Sequence, residues 1–253
     1  MSTRAGTRTA QVRSRTQLDD HLVRLVLGLD GFESTGIADE WVGLVVPGQF
    51  QSRYYTVRRF DATSITVDIV VHAHGLVTEW AAGDVVGQKV TITDAKGSYA
   101  ATADAAWIIL VGDLTAFPAM ARIAESTDRP VQIWAEAESI PAGYFPRSAA
   151  VTHVPQGATS RLSVVVEDLD WPDGDGYFWM AGESAQMRSI RKFLMHDRGM
   201  PTSAYDVMGY WRQVRERQPR AVDPGPIWRE GKRLGHSDEQ IWDTYDKQRD
   251  AAE

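Results

Sequence analysis

The sequence predicts a two-domain α+β protein in which an antiparallel β-barrel precedes an α/β domain with a parallel sheet. The chain has 253 residues, more than the roughly 100–200 residues of a typical single domain. Its first hundred residues alternate apolar and polar positions in short runs, and after Ala103 buried-strand patterns alternate with helical ones. We expect domains at residues 1–103 and 104–212, and a C-terminal extension at 213–253 that ends in a helix.

The N-terminal part has the two-residue period of half-buried strands. In Ser64–His72, for example, Ile65, Val67 and Ile69 share one face of the predicted strand. Similar patterns predict strands at Thr9–Arg15, His21–Leu29, Gln49–Phe60 and Gln88–Thr93, with one short helix near Val77–Ala82. Regularly spaced strands with so little helix favour a small barrel.

Strand and helix alternate in the second part, which is typical of a parallel sheet with helices on its faces. The continuous apolar run Ala106–Val111 predicts a buried strand, and Thr115–Ser126 has helical spacing. We predict further strands at Val131–Ala135, Arg161–Val166, Tyr177–Ala181 and Tyr205–Met208, and a helix over Ser184–Arg198.

The extension is predicted to be irregular at first, because it contains Pro219, Pro224 and Pro226. A capping box at Ser237–Gln240 predicts a final helix through Ile241, Trp242 and Tyr245.

Composition limits the possible functions. The chain has no cysteine, which excludes disulfides, thiolate nucleophiles and cysteine-bound iron–sulfur clusters, so redox chemistry would need a bound cofactor. A net charge of −7 disfavours nucleic-acid binding. The basic concentration from Arg188 to Arg220 suits either an anionic ligand or a solvated helix face. The apolar run Ala105–Gly112 is too short to cross a bilayer and no signal core is present, so we expect a cytoplasmic protein without membrane insertion.

Ligands of open α/β sheets bind outside the carboxyl ends of the strands. Glycine-containing turns occur there at Gly112–Thr115, Ala181–Glu183 and Gly209–Trp211. Asp113 and Glu183 would repel a pyrophosphate, so these turns suit the nicotinamide or ribose part of a nucleotide, or a purely structural role.

Selection between the two nicotinamide nucleotides is ambiguous from the sequence. Glu136, at the end of the second strand of the α/β domain, favours a ribose hydroxyl and therefore NADH. Arg188 and Arg191 favour the alternative, NADPH.

The segment Arg53–Arg58 combines residue types that a flavin requires. Arginine pairs with phosphate, a tyrosine ring stacks on a flat cofactor, and a threonine hydroxyl bonds a ring nitrogen. The alternative interpretation is an aromatic barrel strand with solvated arginines.

Several short motifs occur in the order found in siderophore-interacting proteins, and the chain resembles that family over essentially its whole length. The motifs are Arg53-x-Tyr55-Thr56-x-Arg58, Val71-His72, Gly75–Trp80, Gly97-Ser98, Gly112–Ala119, Ala181–Glu183 and Gly209–Arg212. The family consists of flavin-dependent ferric-siderophore reductases, and the resemblance implies a ferredoxin-NADP reductase-like fold with FAD on the barrel.

The resemblance implies a set of cofactor-binding residues. Arg53 would pair with the FAD pyrophosphate, Tyr55 would stack on the isoalloxazine ring and Thr56 would donate a hydrogen bond to its edge. The remaining implied cofactor-binding residues are Val70, His72, Leu76, Val77, Thr78, Gly97, Ser98, Asp113, Thr115, Gly182 and Glu183. Leu76 and Val77 depart from the proline and small residue that usually follow this glycine in the family.

The implied reaction carries electrons from NADH or NADPH through FAD to a ferric siderophore and releases Fe(II), with no side-chain acid or base. The implied substrate residues are Trp211, Arg212, Lys232, Arg233 and Lys247. We expect a monomer. We expect no bound metal, because the His72 and His74 pair lacks a third ligand. The alternatives are a flavin reductase of the same fold acting on quinone, ferredoxin or free flavin, and a non-catalytic siderophore-binding module.

Overall fold

A computed structural model describes residues 6–49, 51–72, 75–212, 224–236 and 244. The chain divides into two compact units, residues 1–212 and 213–253. A barrel and a parallel sheet make up the first unit, and the predicted boundary between them at residue 103 stays a prediction. In the described part of the chain, no helix is long and apolar enough to cross a membrane.

Six antiparallel strands close the barrel in the order β1-β2-β5-β4-β3-β6, with β6 paired to β1. They are β1 (Thr7–Asp19), β2 (Leu22–Gly28), β3 (Trp41–Val45), β4 (Arg53–Phe60), β5 (Ser64–Val70) and β6 (Lys89–Thr93). Alternating side chains such as Leu25 and Val67 are fully buried in the barrel core. Helix α1 (Leu76–Ala82) follows β5 and buries Val77 and Ala81 against the same core.

The second layer is a five-stranded parallel sheet of order β11-β10-β7-β8-β9. Its strands are β7 (Trp107–Asp113), β8 (Val131–Ala137), β9 (Ala150–Pro155), β10 (Gly176–Glu183) and β11 (Tyr205–Trp211). Helix α2 (Phe117–Glu125) packs on one face, and α3 (Leu162–Glu167) and α4 (Met187–Lys192) pack on the other. The central strand β7 is buried at every residue, as its apolar run predicts.

The second half of the first unit differs from the prediction in three places. The strand predicted at Arg161–Val166 is wrong: this segment forms α3, because Leu162 and Val166 lie four residues apart and bury one helix face. The helix predicted over Ser184–Arg198 is shorter as α4 and continues as a π-helical turn at Phe193–Asp197. Strand β9 was not predicted, because Val154 is its only buried residue and no apolar period is visible.

The second unit contains helix α5 (Pro224–Arg233), in a segment predicted to be irregular. Proline is tolerated in the first turn of a helix, since first-turn amides have no partner within the helix. The capping box at Ser237–Gln240 and the predicted helix through Ile241, Trp242 and Tyr245 lie outside the described residues.

Two arginine–glutamate pairs join the barrel to α2. Arg58 of β4, only 2% exposed, donates to both carboxylate oxygens of Glu125 at 2.7 and 2.6 Å. Arg122 of α2 donates to Glu40 and to the Val57 carbonyl, each at 2.7 Å. Both pairs cross from one layer to the other, so they fix how α2 packs against the barrel.

A single buried carboxylate also connects the two layers. Asp39 has no exposed surface and accepts hydrogen bonds from the Ser98 amide and hydroxyl and from the Tyr99 amide, each at 2.9 Å. The indole of Trp179, on β10, donates to the same carboxylate at 3.3 Å. Asp39 therefore holds the barrel, the segment after β6 and the sheet in register.

Glu40→Gln is expected to lower stability at neutral pH by about 1–3 kcal/mol, because the buried carboxylate accepts several hydrogen bonds. Burial opposes ionisation, but hydrogen bonds from Thr35, Ser34 and Arg122 outweigh it and lower the pKa of Glu40. The wild-type advantage is therefore full above the ordinary glutamate value of 4.5 and is lost as pH falls through the lowered pKa. Urea unfolding of both proteins across this range measures the difference, and a gap that stays constant with pH contradicts the assignment.

Candidate functional site

A cavity of about 350 Å³ opens on the barrel where β4, the turn before it and the start of α1 meet. Its lining residues are Gly48, Gln49, Gln51, Arg53, Tyr55, His72, Gly75, Leu76, Val77 and Thr78. Six of the residues predicted to bind a cofactor therefore line one cavity, although they come from three separate segments of the chain.

Arg53 and Tyr55 alternate along β4, so both point to the cavity side of the strand. The Arg53 side chain is exposed, and its hydrogen bond goes to the carbonyl of the adjacent Ser52 at 3.4 Å. Among the described residues it has no carboxylate partner. Its guanidinium is thus available to an anionic ligand.

Tyr55 is half-buried and packs against the barrel core. Burial raises the pKa of its phenol to about 12, while the charge of Arg53 opposes the rise. The phenol therefore stays neutral at physiological pH, and its ring supplies the aromatic wall of the cavity.

The start of α1 supplies backbone amides to the cavity. Gly75 precedes the helix with φ at 132°, a conformation that favours glycine, and no side chain caps the helix. A Cβ at this position would be in ordinary van der Waals contact with His72 Cε1, at 3.5 Å, so the positive φ rather than crowding requires glycine here. First-turn amides of a helix lack partners within the helix, so those of Leu76 and Val77 face a ligand that enters here.

Thr78 and Val70 contact each other at the start of α1. The Thr78 hydroxyl donates to the Val70 carbonyl at 3.1 Å. Thr78 lines the cavity, whereas Val70 is not among the lining residues. These two residues anchor α1 to the end of β5, and their contact with a cofactor stays a prediction.

A second group of predicted residues meets at the carboxyl edge of the sheet. The buried carboxylate of Asp113 accepts the Thr115 amide at 2.9 Å and the indole N–H of Trp211 at 2.6 Å. Burial raises the pKa of Asp113, although the hydrogen bonds from Thr115 and Trp211 oppose the rise. A Cβ at Gly182 would lie 2.8 Å from Asp113 Oδ2, so glycine is needed for this close approach.

Other predicted residues lie elsewhere. Gly97 and Ser98 are outside the cavity: Ser98 bonds Asp39, and a Cβ at Gly97 would lie 2.6 Å from that of Ile37. Thr56 is buried on β4 and is not among the residues that line the cavity, while Glu183 is half-buried and Arg212 is exposed at the strand ends.

The prediction that Glu136 contacts a ribose is not supported by its position. Its carboxylate is buried and accepts the backbone amide of Arg161 at 2.6 Å, so it anchors the start of α3. Arg191 donates to the Val207 carbonyl, and Arg188 is exposed on α4.

Three predicted substrate residues belong to the second unit. Lys232 and Arg233 lie at the end of α5, where the Arg233 Nε donates to Glu230 at 2.8 Å. Lys247 lies outside the described residues. Their role toward the cavity stays a prediction.

Sequence reasoning missed the turn that forms one wall of the cavity. Gly48, Gln49 and Gln51 come just before β4, and Gly48 has φ at 81°. The Pro47-Gly48 pair is a turn signal that could have located this wall. Across the described ranges, no group of three or more His, Asp or Glu side chains is arranged to hold a metal; His74 is outside them.

Trp211→Phe is expected to lower the free energy of unfolding by about 2 kcal/mol, because it removes a hydrogen bond to a buried carboxylate. Trp171→Phe is the matched control, since the buried Trp171 N–H has no hydrogen-bond partner in the part of the chain that the structure describes. Urea unfolding compares the two variants. Equal losses would show that the contact between Trp211 and Asp113 does not stabilise the fold.

A closed antiparallel barrel followed by a parallel sheet defines a ferredoxin-reductase-like FAD- and NAD-binding fold, which confirms the predicted fold class. A solved neighbour with this fold is the ferredoxin reductase of carbazole 1,9a-dioxygenase, which is 15% identical with a TM-score of 0.68 and covers 83% of this chain and 71% of the neighbour.

The chain belongs to the siderophore-interacting protein family, as its motifs predict. Residues 48–99 match the siderophore-interacting FAD-binding domain and residues 105–214 match the siderophore-interacting protein model. A siderophore utilization protein from T. fusca is 27% identical with a TM-score of 0.71, and the match covers 83% of this chain and 94% of that one.

Two curated relatives extend the comparison. An uncharacterized protein of Mycobacterium tuberculosis is 28% identical, in a match that covers 81% of this chain and 90% of the relative. The ferric vibriobactin reductase ViuB of Vibrio cholerae is 26% identical, in a match that covers 64% of each chain. The cavity residues from Gly48 to Thr78 all fall within the matched FAD-binding domain.

Proposed function

We propose that this protein is a flavoprotein oxidoreductase that carries electrons from NADH or NADPH through FAD to a ferric siderophore, from which iron leaves as Fe(II). The observation that carries the proposal is the cavity in which Arg53, Tyr55 and the first amides of α1 converge. The similarity to ViuB, which is named a ferric vibriobactin reductase, supports the choice of substrate class.

The residues of the cavity fit FAD by their chemistry. Arg53 offers a guanidinium that has no carboxylate partner among the described residues and suits a pyrophosphate, and the first turn of α1 adds amide donors that have no partner within the helix. Tyr55 offers a neutral ring for an isoalloxazine. Bound FAD would supply hydride acceptance from the nicotinamide and one-electron transfer to ferric iron.

The chain's own residues bind and orient, because this chemistry requires no side-chain acid or base. Arg53 holds the pyrophosphate, Tyr55 supports the ring system from the barrel side, and Thr56 donates a hydrogen bond to its edge. His72 lines the same cavity beside Gly75 and limits the space next to the cofactor.

The carboxyl edge of the sheet is the proposed nicotinamide site. Gly182 allows close approach of the backbone, and Asp113 with Thr115 shapes the turn at the end of β7. Glu183 completes this edge beside Trp211, with which it is paired in register. Because Glu136 is buried, its position favours neither nucleotide, and both must be tested as reductants.

Trp211 and Arg212 are the proposed substrate contacts in the first unit. The Trp211 side chain is held by Asp113 while 40% of the residue remains exposed. An exposed indole and a guanidinium suit an anionic, often aromatic, iron chelate. For Lys232, Arg233 and Lys247, which belong to the second unit, contact with the substrate stays a proposal from the sequence. We further propose that the protein acts as a monomer in the cytoplasm.

The visible spectrum of the purified, FAD-loaded protein tests the proposal. We expect a flavin spectrum that bleaches under anaerobic NADH or NADPH and returns when a ferric siderophore is added. An Fe(II)-specific chelating dye should trap the released iron, and the gallium(III) form of the same siderophore is the control, because it cannot accept an electron.

The alternatives give different results. If the flavin spectrum returns with a quinone or ferredoxin but not with ferric siderophores, the protein is a flavin reductase with a different electron acceptor. A protein that binds no FAD but retains a ferric siderophore would overturn the reductase and favour a binding module.

A further inference from the structure

The second strand of the parallel sheet, β8, carries near its end a carboxylate that is already used. Glu136 is 2% exposed and accepts the backbone amide of Arg161 at 2.6 Å. In dinucleotide-binding sheets, an acidic residue at this position binds the 2′-hydroxyl of an NAD ribose, whereas a nearby arginine accommodates the 2′-phosphate of NADP. Glu136 is therefore taken, and it fixes the backbone of an arginine at the place where the two nucleotides differ.

The start of α3 is fixed through its backbone amides. The Leu162 amide donates to Ser160 Oγ at 3.4 Å, and the Ser163 amide donates to Gln186 Oε1 at 2.9 Å. Together with the Arg161 amide, three successive amides at this end of the helix already have acceptors. An anion that binds here must therefore be recognised by side chains.

Two exposed arginines flank this point. Arg161 lies two residues before Ser163, and Arg188 lies two residues after Gln186 on α4. In the part of the chain that the structure describes, neither guanidinium has a carboxylate partner. Because Ser163 and Gln186 are bonded to each other, the two arginines bring positive charge to one place at the starts of α3 and α4.

The start of α3 also adjoins the proposed nicotinamide site. Leu162 is fully buried, and its Cδ1 lies 3.5 Å from the place of a Cβ at Gly182. Strands β8 and β10 both neighbour β7, so their ends are about 10 Å apart. A nucleotide whose nicotinamide lies at Gly182 can therefore extend along the sheet edge to Arg161.

We propose that Arg161 determines the choice of reductant by binding the 2′-phosphate of NADPH, with Arg188 as a second positive charge. An arginine holds a phosphate through two parallel charge-assisted hydrogen bonds. NADH has a neutral hydroxyl at this position and gains neither bond. The two guanidinium groups outweigh the single charge of the buried Glu136, which is a positioning residue for Arg161. This inference rests on the proposed nicotinamide site and adds to it a preference for NADPH over NADH.

Titration calorimetry of the FAD-loaded protein with NADP⁺ and with NAD⁺ tests the inference. We expect the wild type to bind NADP⁺ at least tenfold more tightly. Arg161→Ala should weaken NADP⁺ binding about 10- to 100-fold, since two charge-assisted hydrogen bonds are lost, and should change NAD⁺ binding less than twofold. Arg161→Lys keeps the charge without the planar fork, so its NADP⁺ affinity should be intermediate. Adenosine 2′,5′-bisphosphate, which lacks the nicotinamide, should show the same loss with Arg161→Ala.

Arg147→Ala is the matched control. Arg147 is also an exposed arginine, three residues before β9 begins at Ala150. Strand β9 is parallel to β8 and its first residue pairs with Gln132, so Arg147 lies near the opposite edge of the sheet from Glu136. Its loss should leave both nucleotide affinities unchanged, so a general effect of removing one positive charge would be recognised.

Three results would overturn the inference: equal wild-type affinity for the two nucleotides, an unchanged NADP⁺ affinity in Arg161→Ala, or an equal loss of both affinities in that variant. The last would show that Arg161 only supports the start of α3. A flavin that neither NADPH nor NADH bleaches contradicts the proposed function. A flavin that both bleach with the same kcat/KM leaves the proposed function standing and contradicts this inference alone.

Discussion

Arg53→Ala is expected to weaken FAD binding by about 100-fold or more while leaving the fold intact. The guanidinium has no carboxylate partner among the described residues, and its hydrogen bond goes to the adjacent Ser52. Two charge-assisted hydrogen bonds to a pyrophosphate are worth about 3 kcal/mol or more together, which corresponds to the expected factor. Titration of the apoprotein with FAD, followed by flavin fluorescence, measures it.

Two variants sharpen this prediction. Arg53→Lys keeps the charge but loses the planar fork, so its affinity should lie between those of the wild type and the alanine variant. Arg59→Ala removes an exposed arginine from the other end of β4, where Arg59 lies 3.7 Å from Glu125, and should leave FAD affinity unchanged. Comparable losses at Arg53 and Arg59 would indicate a general charge effect and would contradict a phosphate contact at Arg53.

Glu125→Ala is expected to produce the largest loss of stability, about 3 kcal/mol in the free energy of unfolding. The substitution leaves the 2% exposed Arg58 charged and without its carboxylate, which is far costlier than losing a surface ion pair. After the substitution the guanidinium would still have the Tyr144 ring at 5.7 Å and the charge of Asp68 nearby, but its Nε has no hydrogen-bond partner in the described part of the chain. Urea unfolding of the two proteins measures the difference.

The Arg58→Met, Glu125→Ala double variant distinguishes a stranded charge from a general packing defect. Replacing both charged partners should recover much of the lost stability, since methionine fills similar space without a charge. Glu33→Ala is the surface control: its pair with Arg8 spans 3.5 Å and Glu33 is 87% exposed, so we expect less than about 1 kcal/mol. A double variant less stable than Glu125→Ala would contradict the stranded-charge explanation.

The parts of the fold that could be predicted are those in which one face of an element is buried. The sequence of β5 alternates between apolar and polar residues and its apolar positions Ile65, Val67 and Ile69 are fully buried, and β7 starts with a continuous apolar run and is buried at every residue. Strand β9 lies at the edge of the sheet with Val154 as its only buried residue, and β3 buries Val42, Gly43 and Leu44 in succession. Neither strand has a period that can be seen in the sequence.

The cavity could be predicted in part because its chemistry lies in two short segments. Arg53 and Tyr55 share one strand face, and Gly75 opens the helix that follows the next strand. The contacts that join the barrel to the next layer are between residues far apart in sequence, such as Arg58 with Glu125 and Arg122 with Glu40. Burial of an arginine leaves no periodic trace in the sequence.

The Asp39 carboxylate also bears on how the molecule can move. A rotation of the barrel against the sheet would separate Asp39 from the Trp179 indole, one of four hydrogen-bond donors to this buried carboxylate among the described residues. It would also strain the Arg58 and Arg122 pairs that join the barrel to α2, so the two layers are expected to fluctuate together on the microsecond-to-millisecond timescale of domain motion. Ligand exchange at the cavity would then depend on local displacement of lining residues such as Gly48, Gln49 and Gln51. The residues that limit the rate of ligand exchange would then differ from those, such as Arg53 and Tyr55, that bind the ligand.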